Sequence, residues 1–200
     1  MTRARPYDRD TALDAALTVF WQKGYHATSL KDLESALNMK PGSIYAAFSS
    51  KESLFLSALE RYFRQNREEL RSLAEQAETP LKGLADHLRG IGRKHDADPQ
   101  CRACMLIKTL LDTTASEDMI ADTARRYLDQ IKAEIAAAFD LAKSRGELPQ
   151  DADSDRLARR YQSNITALKI EAHRGTDKAD LAALAEDMAH EVERLRCPSS

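Results

Sequence analysis

Lys40, Tyr45 and Lys51 place two ammonium groups and a phenolic hydroxyl within a dozen residues, a set suited to gripping phosphate oxygens by charge and by O–H donation. Pro41, Gly42 and Ser43 lie among them, and small side chains there let the backbone approach whatever the cations hold. Ser29 adds a hydroxyl upstream. A second suggestive set is Cys101-Arg102-Ala103-Cys104, since a cation beside a Cys-x-x-Cys pair lowers a thiol pKa and favours reaction with oxidants or electrophiles. The alternative for Cys104 is simple packing at the head of the apolar run CMLIKTLLD. His95 with Cys101 and Cys104 supplies three ligands where a structural zinc needs four, so no metal site is expected. The chain has no Gly-rich phosphate loop, no paired carboxylates and no nucleophile with a base at a recognisable spacing, so neither enzymatic activity nor a cofactor is expected.

The segments carrying these residues read as helices. Leu13, Ala16, Leu17 and Phe20 recur at helical spacing, which predicts a first helix from about Asp8 to Lys23, ended by Gly24. Ser29 and Asp32 form a capping-box pattern that opens a short second helix ending near Asn38, a residue tolerant of the left-handed region. Pro41 presets φ for a third helix. In it Ile44 and Phe48, spaced i, i+4, face inward toward Leu17, Phe20, Leu33 and Leu37, leaving Lys40, Gly42, Ser43, Tyr45 and Ala46 outward. Ser49 with Glu52 reads as a second capping box and the start of a long fourth helix reaching about Glu78. Two short helices joined by a tight turn and braced by a preceding one match the helix-turn-helix that docks in a DNA major groove. Lys40 can then reach a base edge or a phosphate, Tyr45 can donate to a phosphate, and Lys51 can hold one beside the free N–H groups of a helix start. A protein-binding three-helix bundle is the competing reading of each residue alone; the joint pattern of a complete inner face and a small, phosphate-seeking outer one favours DNA. Arg3 and Arg5 read either as a minor-groove arm or as a solubilising tail.

Beyond residue 78 the apolar spacing predicts five further helices. They start near Pro80, Cys104 and Glu117 and continue in two stripes, Leu157, Tyr161, Ile165, Leu168 and then Leu181, Leu184, Met188, Val192, Leu195. The expected fold is all-α, with about nine helices and almost no sheet, consistent with only seven glycines and six prolines. The expected division is a DNA-binding head at 1–50 and a helical body at 51–200, the fourth helix leading from one into the other. A net charge of −2 gives no global attraction to nucleic acid, yet residues 1–64 carry nine Lys/Arg against seven Asp/Glu and so are the less acidic part. The N-terminus is polar and basic with no apolar run behind it, no stretch reaches the length of a membrane span, and the odd cysteine count suits a reducing compartment, so a cytoplasmic location is expected.

The run FWQKGYHAT from Phe20, continued by SLKDLESALNMKPGSIYAAFSSKESL, resembles the TetR family of transcriptional regulators over roughly Asp8 to Tyr62. The shared elements are a Gly-aromatic pair, a Thr before the second helix, Gly-x-hydrophobic-Tyr-x-x-Phe, and a Ser-Lys-Glu start to the fourth helix. Lys40 and Pro41 depart from a pattern in which such proteins often carry a small hydroxyl residue and a polar one. The resemblance implies that Tyr45 and Lys51 anchor to phosphates, that the third helix reads bases, and that a small-molecule effector binding in the body releases a repressor from its operator. Candidate lining residues are His87, Leu88, Ile91, Cys104, Ile107, Lys108, Leu111, Tyr127 and Ile131, an apolar set with a few polar atoms, for most of which plain core is the competing reading. The resemblance also implies that the last two helices make a four-helix interface through Leu157, Tyr161, Ile165, Leu168, Leu184, Met188 and Val192, although one stripe each would suffice inside a monomer. A C2 homodimer on a near-palindromic operator follows. The alternative signal is thiol chemistry at Cys101 and Cys104.

Overall fold

A computed structural model describes residues 8–93, 103–114 and 118–197, the side chain of Ala74 excepted. The described residues form α1 (Arg9–Ala27), α2 (Leu30–Leu37), α3 (Pro41–Phe48), α4 (Lys51–Gln76), α5 (Pro80–Arg93), α6 (Met105–Asp112), α7 (Asp118–Ser144), α8 (Ser154–Arg174) and α9 (Lys178–Glu193), with no strand among them. This is the all-α architecture the composition implies. Arg3, Arg5, His95, Cys101 and Arg102 lie outside the described residues.

The single boundary expected near residue 50 becomes a division by packing. One compact unit is Met1–Arg64 with Met105–Arg125; the other is Gln65–Cys104 with Arg126–Ser200. α6 therefore belongs with the head helices. The reason is the packing of α6 against α1, which sequence order alone does not reveal.

In the first unit, Phe20, Leu33, Ile44, Leu54, Phe55, Leu59, Met105 and Leu106 are buried to 2% exposure or less. Phe20 meets Phe55 edge to face with centroids 5.0 Å apart, the geometry that ring quadrupoles prefer. Arg61 of α4 forks onto Asp14 of α1, with Nε–Oδ1 at 2.5 Å and Nη2–Oδ2 at 2.7 Å. Its remaining amino group reaches Asp10 at 3.0 Å.

In the second unit the hydrophobic centre is Leu81, Leu84, Leu88, Ile135, Phe139, Tyr161, Leu168 and Leu181. α5 pairs along its length with α9. Gly92 makes that approach possible: a Cβ there would lie 2.6 Å from the Ala185 Cβ and 3.3 Å from the Leu181 carbonyl oxygen. Arg89 fastens the same pair of helices, donating to Glu186 at 2.8 and 2.9 Å and to Glu193 at 2.7 and 3.0 Å. Neither neighbour of Gly92 can rotate out of the way, since one is a methyl group and the other backbone. Gly92→Val should therefore lower stability by about 1–3 kcal/mol through overpacking. Urea unfolding of the full chain checks this, and an unchanged midpoint would show that α5 and α9 are not held this closely.

The second unit also takes up part of the stripes expected to face a partner subunit. Tyr161, Leu168 and Val192 are 2%, 0% and 5% exposed within the single chain, so they are core of their own unit and not interface. The Tyr161 hydroxyl donates to the Leu84 carbonyl at 2.8 Å and its oxygen lies 2.8 Å from His87 Nδ1. Since a carbonyl can only accept, the hydroxyl proton is committed to Leu84 and Nδ1 must carry its own proton toward Tyr161. Burial pushes the phenol pKa well above its ordinary value. Leu157, Ile165, Leu184 and Met188 remain half-exposed, and Ile170, which the sequence reading does not include, is 48% exposed. No described helix is long and apolar enough to cross a membrane.

Candidate nucleic-acid interface

The geometry of the head begins with its caps. Ser29 precedes α2 with both arms of the expected box in place: Asp32 N–H donates to the Ser29 hydroxyl at 3.2 Å, and Ser29 N–H donates to the Asp32 carboxylate at 2.8 Å. The Ser29 hydroxyl itself donates to the same carboxylate oxygen at 2.7 Å, and Lys23 Nζ reaches the other at 2.5 Å. Ser29 is thus occupied in holding α2, beside a negative charge; the phosphate contact expected of its hydroxyl would require breaking that bond.

The hydrogen bond from Lys23, followed by those from Ser29, holds the Asp32 carboxyl well below the usual carboxylate range. A folded-state pKa below the unfolded one means the stabilisation is complete above the unfolded value, about 3.9, and is lost as pH falls from there through the folded value. Thermal midpoints of the wild type should therefore fall more steeply below about pH 4 than those of Asp32→Asn, which should start lower at neutral pH. Parallel curves for the two proteins would show that the box does not set this dependence.

Asn38 ends α2 at φ 49°, ψ 44°, the left-handed cap expected of it. Pro41 occupies the first turn of α3 with Lys40 as the N-cap residue. Ile44 and Phe48 are 2% and 3% exposed, and Leu17, Phe20, Leu33 and Leu37 are also buried. Lys40, Pro41, Gly42, Ser43 and Ala46 are exposed, and Tyr45 is 45% exposed. The inner and outer faces of α3 are those that the spacing predicts, because a 3.6-residue period leaves no other assignment once Ile44 and Phe48 are inside.

The start of α4 differs by one residue from expectation. Ser49 serves instead as the end of α3, its N–H donating to the Tyr45 carbonyl at 2.8 Å. The cap of α4 is Ser50, whose hydroxyl accepts from Ser53 N–H at 3.0 Å. Ser49 sits at φ 65°, ψ −48°, and Ser50 N–H closes back to the Phe48 carbonyl at 2.7 Å. That is a γ-turn of the rare positive-φ kind, strained for a residue with a Cβ. So tight a turn leaves no spare residue between the helices, which is why one serine cannot both end α3 and cap α4.

Lys51 opens α4, half-exposed, with its Nζ 4.6 Å from the centroid of the Tyr25 ring. Arg9 places its guanidinium 5.5 Å from the centre of Phe48, the last residue of α3. Both distances lie within cation–π range. Neither pairing is legible in the sequence, since the partners are separated by 26 and 39 residues and no local period links them.

The residues proposed for an effector are distributed over both units. Ile107, Lys108 and Leu111 lie on α6 in the first unit, and Lys108 Nζ donates to the carbonyls of Trp21 and Gln22 at 3.1 and 3.0 Å. It caps the end of α1's regular turns before Gly24. Leu111 is 81% exposed. In the second unit Leu88 and Ile131 are buried core, Ile91 is half-buried, His87 is half-buried against Tyr161, and Tyr127 is half-buried with the Arg126 guanidinium 5.5 Å from its ring centre. Cys104 immediately precedes α6, partly exposed. Its expected companion Cys101 lies outside the described residues. Among the described residues, no group of three or more His, Cys, Asp or Glu side chains is placed to hold a metal ion.

Comparison with known proteins bears on this geometry. The family model described as "Bacterial regulatory proteins, tetR family" matches residues 12–58, from α1 into the first part of α4. The chain is 30% identical to the HTH-type transcriptional repressor ComR of Escherichia coli (strain K12) over 188 residues, covering 92% of this chain and 89% of that protein. It is 28% identical to the uncharacterized HTH-type transcriptional regulator YezE of Bacillus subtilis (strain 168) over 161 residues, 80% of this chain and 82% of the other. Among solved structures, a cysteine mutant of the TetR family transcriptional regulator CifR complexed with 26bp double-strand operator DNA superposes with a TM-score of 0.84 at 29% identity, covering 98% of this chain and 100% of that one.

Proposed function

This chain belongs to the TetR family of bacterial regulatory proteins, and on that premise we propose that it is a repressor that binds a near-palindromic operator as a homodimer and is released by a small-molecule effector. The family is one of DNA-binding transcriptional regulators. The observation that carries the reading is the split of α3: Ile44 and Phe48 are fully inside while Tyr45 stands 45% exposed among Lys40, Gly42 and Ser43. A helix so presented can enter a major groove without unpacking anything. In this reading Lys40, Pro41, Gly42 and Ser43 meet base edges, and Tyr45 and Lys51 hold phosphates on either side of the γ-turn. Residues 1–50 do the reading, and 51–200 carry the effector and dimer functions, with α6 packed onto the head.

Pairing of subunits is supported by the half-exposed apolar residues of α8 and α9, Leu157, Ile165, Leu184 and Met188, continued by exposed Ile170. Their neighbours Tyr161, Leu168 and Val192 form the floor beneath. Two heads on one duplex also explain how so short a recognition helix achieves useful affinity, since the half-site contacts combine in one complex. The similarity to ComR supports repression over activation.

The direct test is binding of the purified protein to DNA fragments flanking its own coding region, read by gel shift at moderate salt with excess unrelated DNA as competitor. A specific complex of two chains per site is expected. Failure to form any specific complex on such fragments or on selected random DNA would overturn the reading.

A further inference from the structure

We infer that Tyr25 is the positioning residue for the phosphate anchor Lys51, its ring acting as the seat that holds the ammonium in place at the start of α4. The inference rests on the reading of Lys51 as a phosphate contact and adds to it the reason that a flexible side chain is ready for one. Three observations meet at Tyr25. Its ring centroid lies 4.6 Å from Lys51 Nζ. The same ring packs at 5.1 Å, tilted by 60°, against Phe55, which is 2% exposed and stands one helical turn beyond Lys51 on the same face of α4. And the residue before it, Gly24, takes φ 80°, ψ 172°, a conformation that turns the chain out of the helical path and so brings Tyr25 across α4 in place of letting it follow α1.

The seat itself is held in place. Lys108 donates to the carbonyls of Trp21 and Gln22 just ahead of the break, and the Thr28 hydroxyl donates to the Gly24 carbonyl at 2.6 Å just after it. Thr28 is 1% exposed. The five residues between Gln22 and Thr28 are thus tied at both ends, which holds the Tyr25 ring face over the first turn of α4. A lysine has four rotatable bonds and loses considerable entropy when a phosphate immobilises it. A π face reduces that loss without neutralising the charge, because it attracts through its quadrupole and leaves N–H donors for a second partner.

The test combines a spectroscopic readout on the free full-length protein with a double-mutant cycle on DNA. In the free protein, the Lys51 ε-methylene protons should be shifted upfield by the ring, should keep that shift in Tyr25→Phe, and should lose it in Tyr25→Leu. On an operator fragment, Tyr25→Phe should bind like wild type, and Tyr25→Leu should bind about 5- to 30-fold more weakly when the loss of one cation–π contact is counted in each of two heads. In a Lys51→Ala background Tyr25→Leu should cost nothing further, because the ring then has no ammonium to place. Circular dichroism melts of each variant show whether packing against Phe55 survives, and Tyr25→Met offers a longer, unbranched side chain to reach Phe55 if leucine does not. If Tyr25→Leu weakens binding equally with and without Lys51, the ring merely packs and the inference fails. If the ring shift is absent in wild type, the seat does not exist and the inference fails whatever the DNA result. If the shift is present but Lys51→Ala binds like wild type, the anchor reading is the part that is wrong, and the positioning role falls with it.

Discussion

Operator affinity should fall by about 10³-fold when Lys51→Ala and Tyr45→Phe are combined, with helix content and unfolding midpoint close to those of the wild type, because a charge-assisted hydrogen bond contributes about 1.5 kcal/mol and the proposed dimer would lose two from each of its two heads. Full additivity would give more, about 6 kcal/mol, but contacts to neighbouring phosphates share their partners and couple. The fold should tolerate both changes. Tyr45 is 45% exposed, so its hydroxyl is not part of the core, and Lys51 sits half-exposed in the first turn of α4. The signature that separates phosphate contacts from base reading is salt dependence. Removing one cationic phosphate contact per head should reduce the slope of log affinity against log salt by about 2 for the pair of heads. Substitutions of Lys40 or Ser43 should instead change which operator sequence is preferred. Fluorescence anisotropy over a salt series measures both quantities. Binding by the double variant with an unaltered slope would remove these two side chains from the interface.

A comparably large effect, on stability, is expected at Gly24. Its φ of 80° with ψ of 172° lies in a region populated almost only by glycine. A Cβ at this position would stand 3.0 Å from the Asp112 Oδ2 and 3.9 Å from the Lys108 Cε of α6. Gly24→Val thus meets backbone strain of about 1–3 kcal/mol, while the Asp112 carboxylate, the exposed end of a flexible side chain, can move aside. The β-branched side chain is the least tolerant of positive φ. A loss of about 1–3 kcal/mol is expected, a large share of a marginally stable head's stability. Gly24→Ala should lie between valine and wild type. The measurement is chemical unfolding followed by the fluorescence of Trp21, the chain's single tryptophan, which packs edge to face on Tyr62 at 5.2 Å and so reports on the first unit. Should Gly24→Val unfold at the wild-type midpoint, the break in α1 cannot have the geometry described.

Gly24 also marks how far the sequence could be read. Its role as a break was legible, since glycine after a regular apolar stripe is a stop signal. The structure agrees with the break and adds a further short stretch to Ala27. What could not be seen is that α6 would press on that glycine from more than eighty residues away, or that the turn would deliver Tyr25 to Lys51. The same contrast holds at the caps. Ser29–Asp32 and Asn38 behaved as their types predict, because capping is a contest among atoms a few residues apart. The cap of α4 is Ser50 where the spacing predicts Ser49, because two adjacent serines offer the same chemistry and only the tightness of the turn chooses between them.

In the body the limits were reached sooner. The periodicity of α8 and α9 identified which residues are apolar and which face they share, but an apolar stripe does not say what it will pack against. Tyr161, Leu168 and Val192 are in the chain's own core while Leu157, Ile165, Leu184 and Met188 are half-exposed, and both outcomes satisfy the same spacing. Among the effector candidates, Lys108 of α6 donates to the carbonyls of Trp21 and Gln22, a pairing that its spacing does not reveal. By itself, then, the order of residues determined the helical segments, the two caps of α2, the inner and outer faces of α3 and the family to which they belong, since each depends on interactions within a few turns of one helix. Tertiary structure alone decided the partnership of Lys51 with Tyr25, the burial of Tyr161 under α5 and the membership of α6 in the head. These depend on contacts between residues far apart in the chain, where many pairings have similar hydrophobic value and only the packing of all the helices together selects one.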